Sequence, residues 1–93
     1  MFVGVLTVDI FIPESNSLKA KRFVVKSLKD RIRNRFNVSV SEVDSHSLWQ
    51  RAKIAVAAVS KEKQNLQSLL RNVADFIGDE KRIQVIDMTF EEY

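Results

Sequence analysis

Residues 17–36, SLKAKRFVVKSLKDRIRNRF, fit only one regular conformation. Leu18, Val24, Val25, Leu28, Ile32 and Phe36 recur at spacings of three, four and seven, which puts them on one stripe of a helix. The opposite side is cationic: Lys19, Lys21, Arg22, Lys26, Lys29, Arg31, Arg33 and Arg35 stand against a single acid, Asp30. The rest of the chain holds seven cations and eleven acids, so a basic helix sits on a mildly acidic framework. A net charge of +3 says little about partners, whereas its concentration on one helix says more.

Strands surround this helix. From Phe2 to Ile12 the residues alternate, Leu6, Val8, Ile10 and Ile12 pointing one way and Val3, Val5, Thr7, Asp9 and Phe11 the other, as in a central strand. Pro13 stops that strand, and Asn16 or Ser17 supplies the oxygen that caps the helix. Val38 to Ser45 mixes valine with serine and acid and reads as an edge strand; Ser45, His46 and Ser47 form a turn. Gln50 to Val59 alternates again. A hairpin folded symmetrically about that turn sets Glu42 opposite Arg51 and Val40 opposite Lys53, with an ion pair fixing the register. Ser60 then caps a helix over Lys61 to Ile77 with the stripe Leu66, Leu69, Leu70, Val73, Phe76 and Ile77, and Gly78 ends it as a left-handed residue. Ile83 to Phe90 is the last strand.

Strand, helix, strand, strand, helix, strand with right-handed crossovers gives an α+β fold: the ferredoxin-like split βαββαβ, a four-stranded antiparallel sheet of order 4-1-3-2 with two helices on one face. The other face is left without a helix and carries Val3, Val5, Ala55 and Ala57 beside Thr7, Asp9, Arg51 and Lys53. Such a half-apolar face suits a partner.

Composition narrows the function. Ninety-three residues, 45% hydrophobic and 29% charged, make one ferredoxin-like domain over 1–93. With no cysteine there is no disulfide and no thiolate ligand or nucleophile, and one histidine makes a transition-metal site unexpected. Gly4 and Gly78 are the only glycines, too far apart for a phosphate-cradling loop. Phe2 to Leu6 lacks the basic flank and cleavage site of a signal peptide, and no apolar run approaches the roughly 20 residues of a membrane span, so no membrane association and a cytoplasmic location are expected. No catalytic centre is legible and no cofactor is implied.

The segments SLKAKRFVVKSLKDRIRNRFNVSVSEVD and LWQRAKIAVAAVS resemble those of the YlxP-like proteins, small bacterial proteins of about this length, and the likeness runs through essentially the whole chain. The resemblance implies a ferredoxin-like domain. Through the gene neighbourhood common in that family it also implies a link to translation or ribosome maturation. It carries over no activity and no catalytic residue. Phe23 departs from the basic or polar residue expected at its position.

Two constellations remain. Lys19, Arg22, Lys26, Lys29 and Arg33 fall on one band of the first helix, spaced to meet successive phosphates, and Phe23 among them is placed to stack on an unpaired base. The alternative is a solvated face with Phe23 packed beneath a loop or a second subunit. His46, Trp49 and Arg51 form a secondary candidate set for a base or a small anion, against the more ordinary reading in which Trp49 plugs the end of the core and His46 is exposed. Two functions follow: a noncatalytic RNA- or ribosome-associated factor using the basic helix, or an interaction module forming a homodimer through the open sheet face or the edge strand Val38 to Ser45, with a small-molecule site at the seam.

Overall fold

The structure is a computed structural model that describes residues 1–44 and 48–93. The chain forms β1 (Phe2–Phe11), α1 (Leu18–Arg35), β2 (Ser39–Asp44), β3 (Arg51–Ser60), α2 (Lys63–Gly78) and β4 (Gln84–Glu92). The strands make one antiparallel sheet of order β2-β3-β1-β4, the expected ferredoxin-like arrangement.

The two central strands decide which face the helices cover. Leu6, Val8 and Ile10 of β1 and Ala52, Ile54, Val56 and Ala58 of β3 are buried, while their alternate neighbours are half-exposed. Val25, Leu28 and Ile32 of α1 and Leu66, Leu70, Val73 and Ile77 of α2 close over them, so every fully enclosed layer is aliphatic. The helix α2 lies over β1 and β3, and α1 sits beside it toward β2. Gly4 marks the closest approach. A Cβ there would come within 2.9 Å of Leu70 Cδ1, 3.2 Å of Leu66 Cδ2 and 3.3 Å of Phe90 Cε2.

Polar contacts set the ends of the elements. Ser17 is the cap of α1, its Oγ accepting the Ala20 N–H at 3.0 Å. The turn after α2 is tied back to α1: Arg82 Nη2 donates to Glu80 Oε1 at 2.8 Å and to Ser27 Oγ at 3.1 Å, and Arg31 also pairs with Glu80. The hydrogen bonds from Arg82, with the charges of Arg82 and Arg31, hold the Glu80 carboxyl down to about 2. Arg31 and Arg35 lie over the Phe76 ring at 5.6 and 5.4 Å, and Phe76 meets Phe36 edge-on at 5.6 Å.

Three local expectations are corrected. The β2–β3 register is not symmetric about residues 45–47, which lie outside the described residues. Val40 faces Val56, Glu42 faces Ile54 and Asp44 faces Lys53, with a register shift between Glu42 and Asp44. The connection runs over residues 45–50, longer than a tight turn, so Glu42 never meets Arg51, which pairs instead with Asp9 of β1 at 2.8 Å. Ser60 belongs to β3; its Oγ accepts the Glu62 N–H at 3.1 Å, and α2 begins at Lys63 without a side-chain cap. Gly78 is not left-handed. It ends the helix in ordinary geometry, and Asp79 follows at φ −85° with its N–H donating to Asp75 O at 3.1 Å.

Because a side chain at Gly4 would push into Leu70 and Leu66, Gly4→Val is expected to destabilise the domain by about 1–3 kcal/mol in equilibrium urea unfolding. An unchanged midpoint would show that α2 does not pack against β1 at this point.

Candidate nucleic-acid interface

Burial of Val25, Leu28 and Ile32 fixes the rotation of α1, and with it the directions of all its cations. At 3.6 residues per turn Lys29, Arg22, Arg33, Lys26 and Lys19 fall within an arc of roughly 80°. That arc lies on the β2 side of the helix, since Arg33 Nη2 donates to the Val40 carbonyl at 2.7 Å. Lys19, Arg22, Lys26 and Arg33 are exposed and Lys29 is half-buried. From Lys19 to Arg33 the band runs about 21 Å along the helix.

The band contains one acid. Asp30 accepts from Lys26 Nζ at 2.8 Å and lies 3.5 Å from Arg33 Nη1. The Lys26 hydrogen bond and the charges of Lys26, Arg33 and Lys29 hold its carboxyl below the ordinary range. Lys19, Arg22 and Lys29 have no ion pair among the described residues. Phe23 projects from the outer ridge next to Lys19 and is 68% exposed, not packed beneath a loop.

The other cations of α1 have partners elsewhere in the molecule, although only Lys21 is buried. Arg31 and Arg35 face α2 through Phe76. Lys21, expected on the cationic side, is buried at 4% exposure, and its Nζ donates to the Arg51 carbonyl at 3.3 Å. The signal was present in the sequence: Lys21 precedes Val25 by four residues and Leu28 by seven, which places it on the apolar stripe. Its methylene stem fills the layer between α1 and β3 while the ammonium reaches a carbonyl.

That bond joins the start of α1 to the start of β3, where the secondary candidates lie. The Ile12 N–H donates to Gln50 O at 2.8 Å and Gln50 Nε2 to Pro13 O at 3.2 Å, so the end of β1, the start of α1 and the residues before β3 share one end of the molecule. Trp49 does not plug the core; it is 53% exposed and, with Phe11, Leu48 and Arg51, lines a shallow hollow. Arg51 is half-buried, and its guanidinium is directed to Asp9. His46 lies outside the described residues.

On the helix-free face, the register sets Asp87 opposite Asp9, Asp9 opposite Lys53 and Lys53 opposite Asp44. Asp87, Asp9 and Asp44 therefore share one row, but Lys53 and Arg51 stand among them. No group of three or more histidine, aspartate or glutamate residues placed to hold a metal occurs among the described residues. The far half of that face is small and apolar, with Val3, Val5, Ala55 and Ala57 all half-exposed. No helix among the described residues is long and apolar enough to cross a membrane.

The two classes of lysine on α1 separate experimentally. Lys21→Ala is expected to destabilise the fold by about 1–3 kcal/mol, because it empties a packed site, whereas Lys19→Ala stays within about 0.5 kcal/mol of the parent. Thermal or urea unfolding of the two variants checks this, and equal effects would contradict the burial of Lys21.

A family model described as "Protein of unknown function (DUF503)" matches residues 3–90. The uncharacterized protein YlxP of Bacillus subtilis (strain 168) is 35% identical over 82 residues, covering 88% of this chain and 89% of that protein. Among solved structures, the solution NMR structure of the de novo designed protein LFR1 1 with ferredoxin fold superposes at a TM-score of 0.58 with 11% identity, covering all of this chain and 84% of the design. That last likeness concerns the fold alone. The match over nearly the whole length and the identity to YlxP establish that the chain belongs to the DUF503 family, the YlxP-like proteins.

Proposed function

We propose that this chain is a noncatalytic RNA-associated protein that lays the β2-side flank of α1 along a single-stranded phosphate backbone. One observation carries the reading: Lys19, Arg22, Lys26, Lys29 and Arg33 lie on a single flank of one helix, with Phe23 exposed at its border. Cations facing solvent in a row gain affinity by releasing counterions from phosphates. An exposed aromatic ring beside them gives an unstacked base a platform. Trp49 is exposed at the same end of the molecule, but in a hollow with Phe11 and Arg51 of the helix-free face, so the reading rests on Phe23 as its ring. The link to translation implied by the YlxP-like resemblance makes ribosomal RNA the partner class to test first.

The charges on the flank set the expected salt dependence. Five phosphate contacts on a single strand give a slope near −0.7 per contact in log affinity against log salt, so affinity falls about a hundredfold between roughly 50 and 200 mM salt. Fluorescence anisotropy with short single-stranded and duplex RNAs measures this. Replacing Arg22, Lys26, Lys29 and Arg33 together with glutamate is expected to abolish binding with the circular dichroism spectrum unchanged, and Phe23→Ala to weaken single-strand binding by roughly tenfold, in line with one lost stacking contact. Binding that survives the fourfold charge reversal would remove α1 as the contact surface.

A further inference from the structure

The two edges of the sheet are unlike. β2 is six residues long, its register shifts between Glu42 and Asp44, and Arg33 occupies the carbonyl of Val40. These are devices that blunt an edge. β4 has nine residues with neither proline nor lysine, and apart from half-buried Met88 it is exposed on both faces, including Val85, Ile86 and Phe90. On the helix side, Phe90 and Met88 line a groove with Leu6, Leu70 and Ala74 of about 460 Å³, which α2 leaves open.

The hydrogen bonding of β4 shows which of its groups face outward. The Tyr93 N–H donates to Val3 O at 2.8 Å, and Glu91, Thr89 and Asp87 continue that alternation opposite Val5, Thr7 and Asp9. Met88, Phe90 and Glu92 therefore turn their N–H and C=O groups to the open edge. Beyond Asp87 the ladder shifts register, so the regular edge spans residues 87–93.

Charge selects one self-pairing of this edge. A two-fold axis at Thr89 would oppose Asp87 to Glu91, one at Glu91 would oppose that residue to itself, and one at Met88 would run the pairing into the bulge. An axis at Phe90 does none of these: Phe90 meets Phe90, Met88 meets Glu92, Thr89 meets Glu91 and Asp87 meets Tyr93. We infer that β4 pairs antiparallel with β4 of a second copy of this chain about a two-fold axis at Phe90, making one continuous eight-stranded sheet. The two Phe90 rings meet between the α2 helices and cover the open groove. Both basic flanks of α1 then lie at the outer edges of the assembly, since β2 and β4 are opposite edges of each sheet. The inference stands independently of what those flanks bind.

Sedimentation equilibrium of the intact chain over about 1 to 500 μM tests it, with Thr89 variants reporting the register. Thr89 is exposed at the rim of the groove and pairs with Thr7, which alternates with buried Leu6 and Val8, so its replacement leaves the core alone. Thr89→Glu places an acid against Glu91 of the second copy twice per dimer and is expected to raise the dissociation constant roughly tenfold; Thr89→Lys is expected to lower it by a similar factor. Amide exchange followed by NMR is expected to show protection of Met88, Phe90 and Glu92 that grows with protein concentration. A chain that stays monomeric across the range, a dimer indifferent to both Thr89 variants, or unprotected amides at those residues in the dimer would each overturn the proposal.

Discussion

Everything on the surface of this protein is set by the uncharged layer between β1, β3 and the two helices. Leu6, Val8 and Ile10 with Ala52, Ile54, Val56 and Ala58 present an aliphatic surface, and only the stripes of α1 and α2 can cover it. A side chain in that layer costs about 1.5–3 kcal/mol to leave in water, so α1 has no freedom to roll. A rotation of one residue, about 100°, would bring Lys26 and Lys29 toward the sheet and expose Leu28. Core packing therefore aims the cations.

Of the cations on α1 only Lys21 is buried, while Arg31 and Arg35 are exposed but directed toward α2. Eight cations in the sequence become five on the β2 side, two that stack on Phe76 or pair with Glu80, and one, Lys21, that holds the start of the helix to β3. The structural cations keep the helix in place and the remaining five share a flank with a single acid. Within those five, Lys26 and Arg33 share Asp30 and Arg33 also donates to the Val40 carbonyl, and exposed pairs such as Lys26 with Asp30 add little to stability. The sheet edge on the far side shows the reverse pattern, with acids on β4 and apolar side chains between them.

The sequence made the fold legible because its periods are clean. Strict alternation around Leu6 to Ile12 and Ile54 to Ala58 leaves one answer for the buried face, and stripes of four-residue spacing in both helices leave one answer for what covers it. Apart from Lys21, whose place on the apolar stripe follows from spacing, the positions that differ depend on a distance or a neighbour that period alone does not contain. The hairpin register depended on the length of the connection over residues 45–50, and Arg51 found Asp9 on the other neighbouring strand. Glycine permits a left-handed stop, yet Gly78 is the last helical residue without one, and Asp79 follows with no positive φ. Of the two readings open for Trp49, the core plug rests on the usual burial of large aromatic rings, and its exposure removes it. Of the candidate site, the band of five cations was legible from spacing, and the burial of Lys21 was legible too, since it sits on the apolar stripe. That Phe23 is exposed and that Trp49 lies at the same end as the start of α1 required the tertiary structure.

The most direct test of the account is a residue-by-residue map of contact with RNA. Titrating isotope-labelled protein with a short single-stranded oligoribonucleotide and following amide and aromatic NMR shifts would show where the strand lies. Shifts are expected to concentrate at Lys19, Arg22, Phe23, Lys26, Lys29 and Arg33, with Lys21, Arg31 and Arg35 changing little. Shifts confined to the helix-free face around Val5 and Ala57, or to β4, with α1 undisturbed would contradict it.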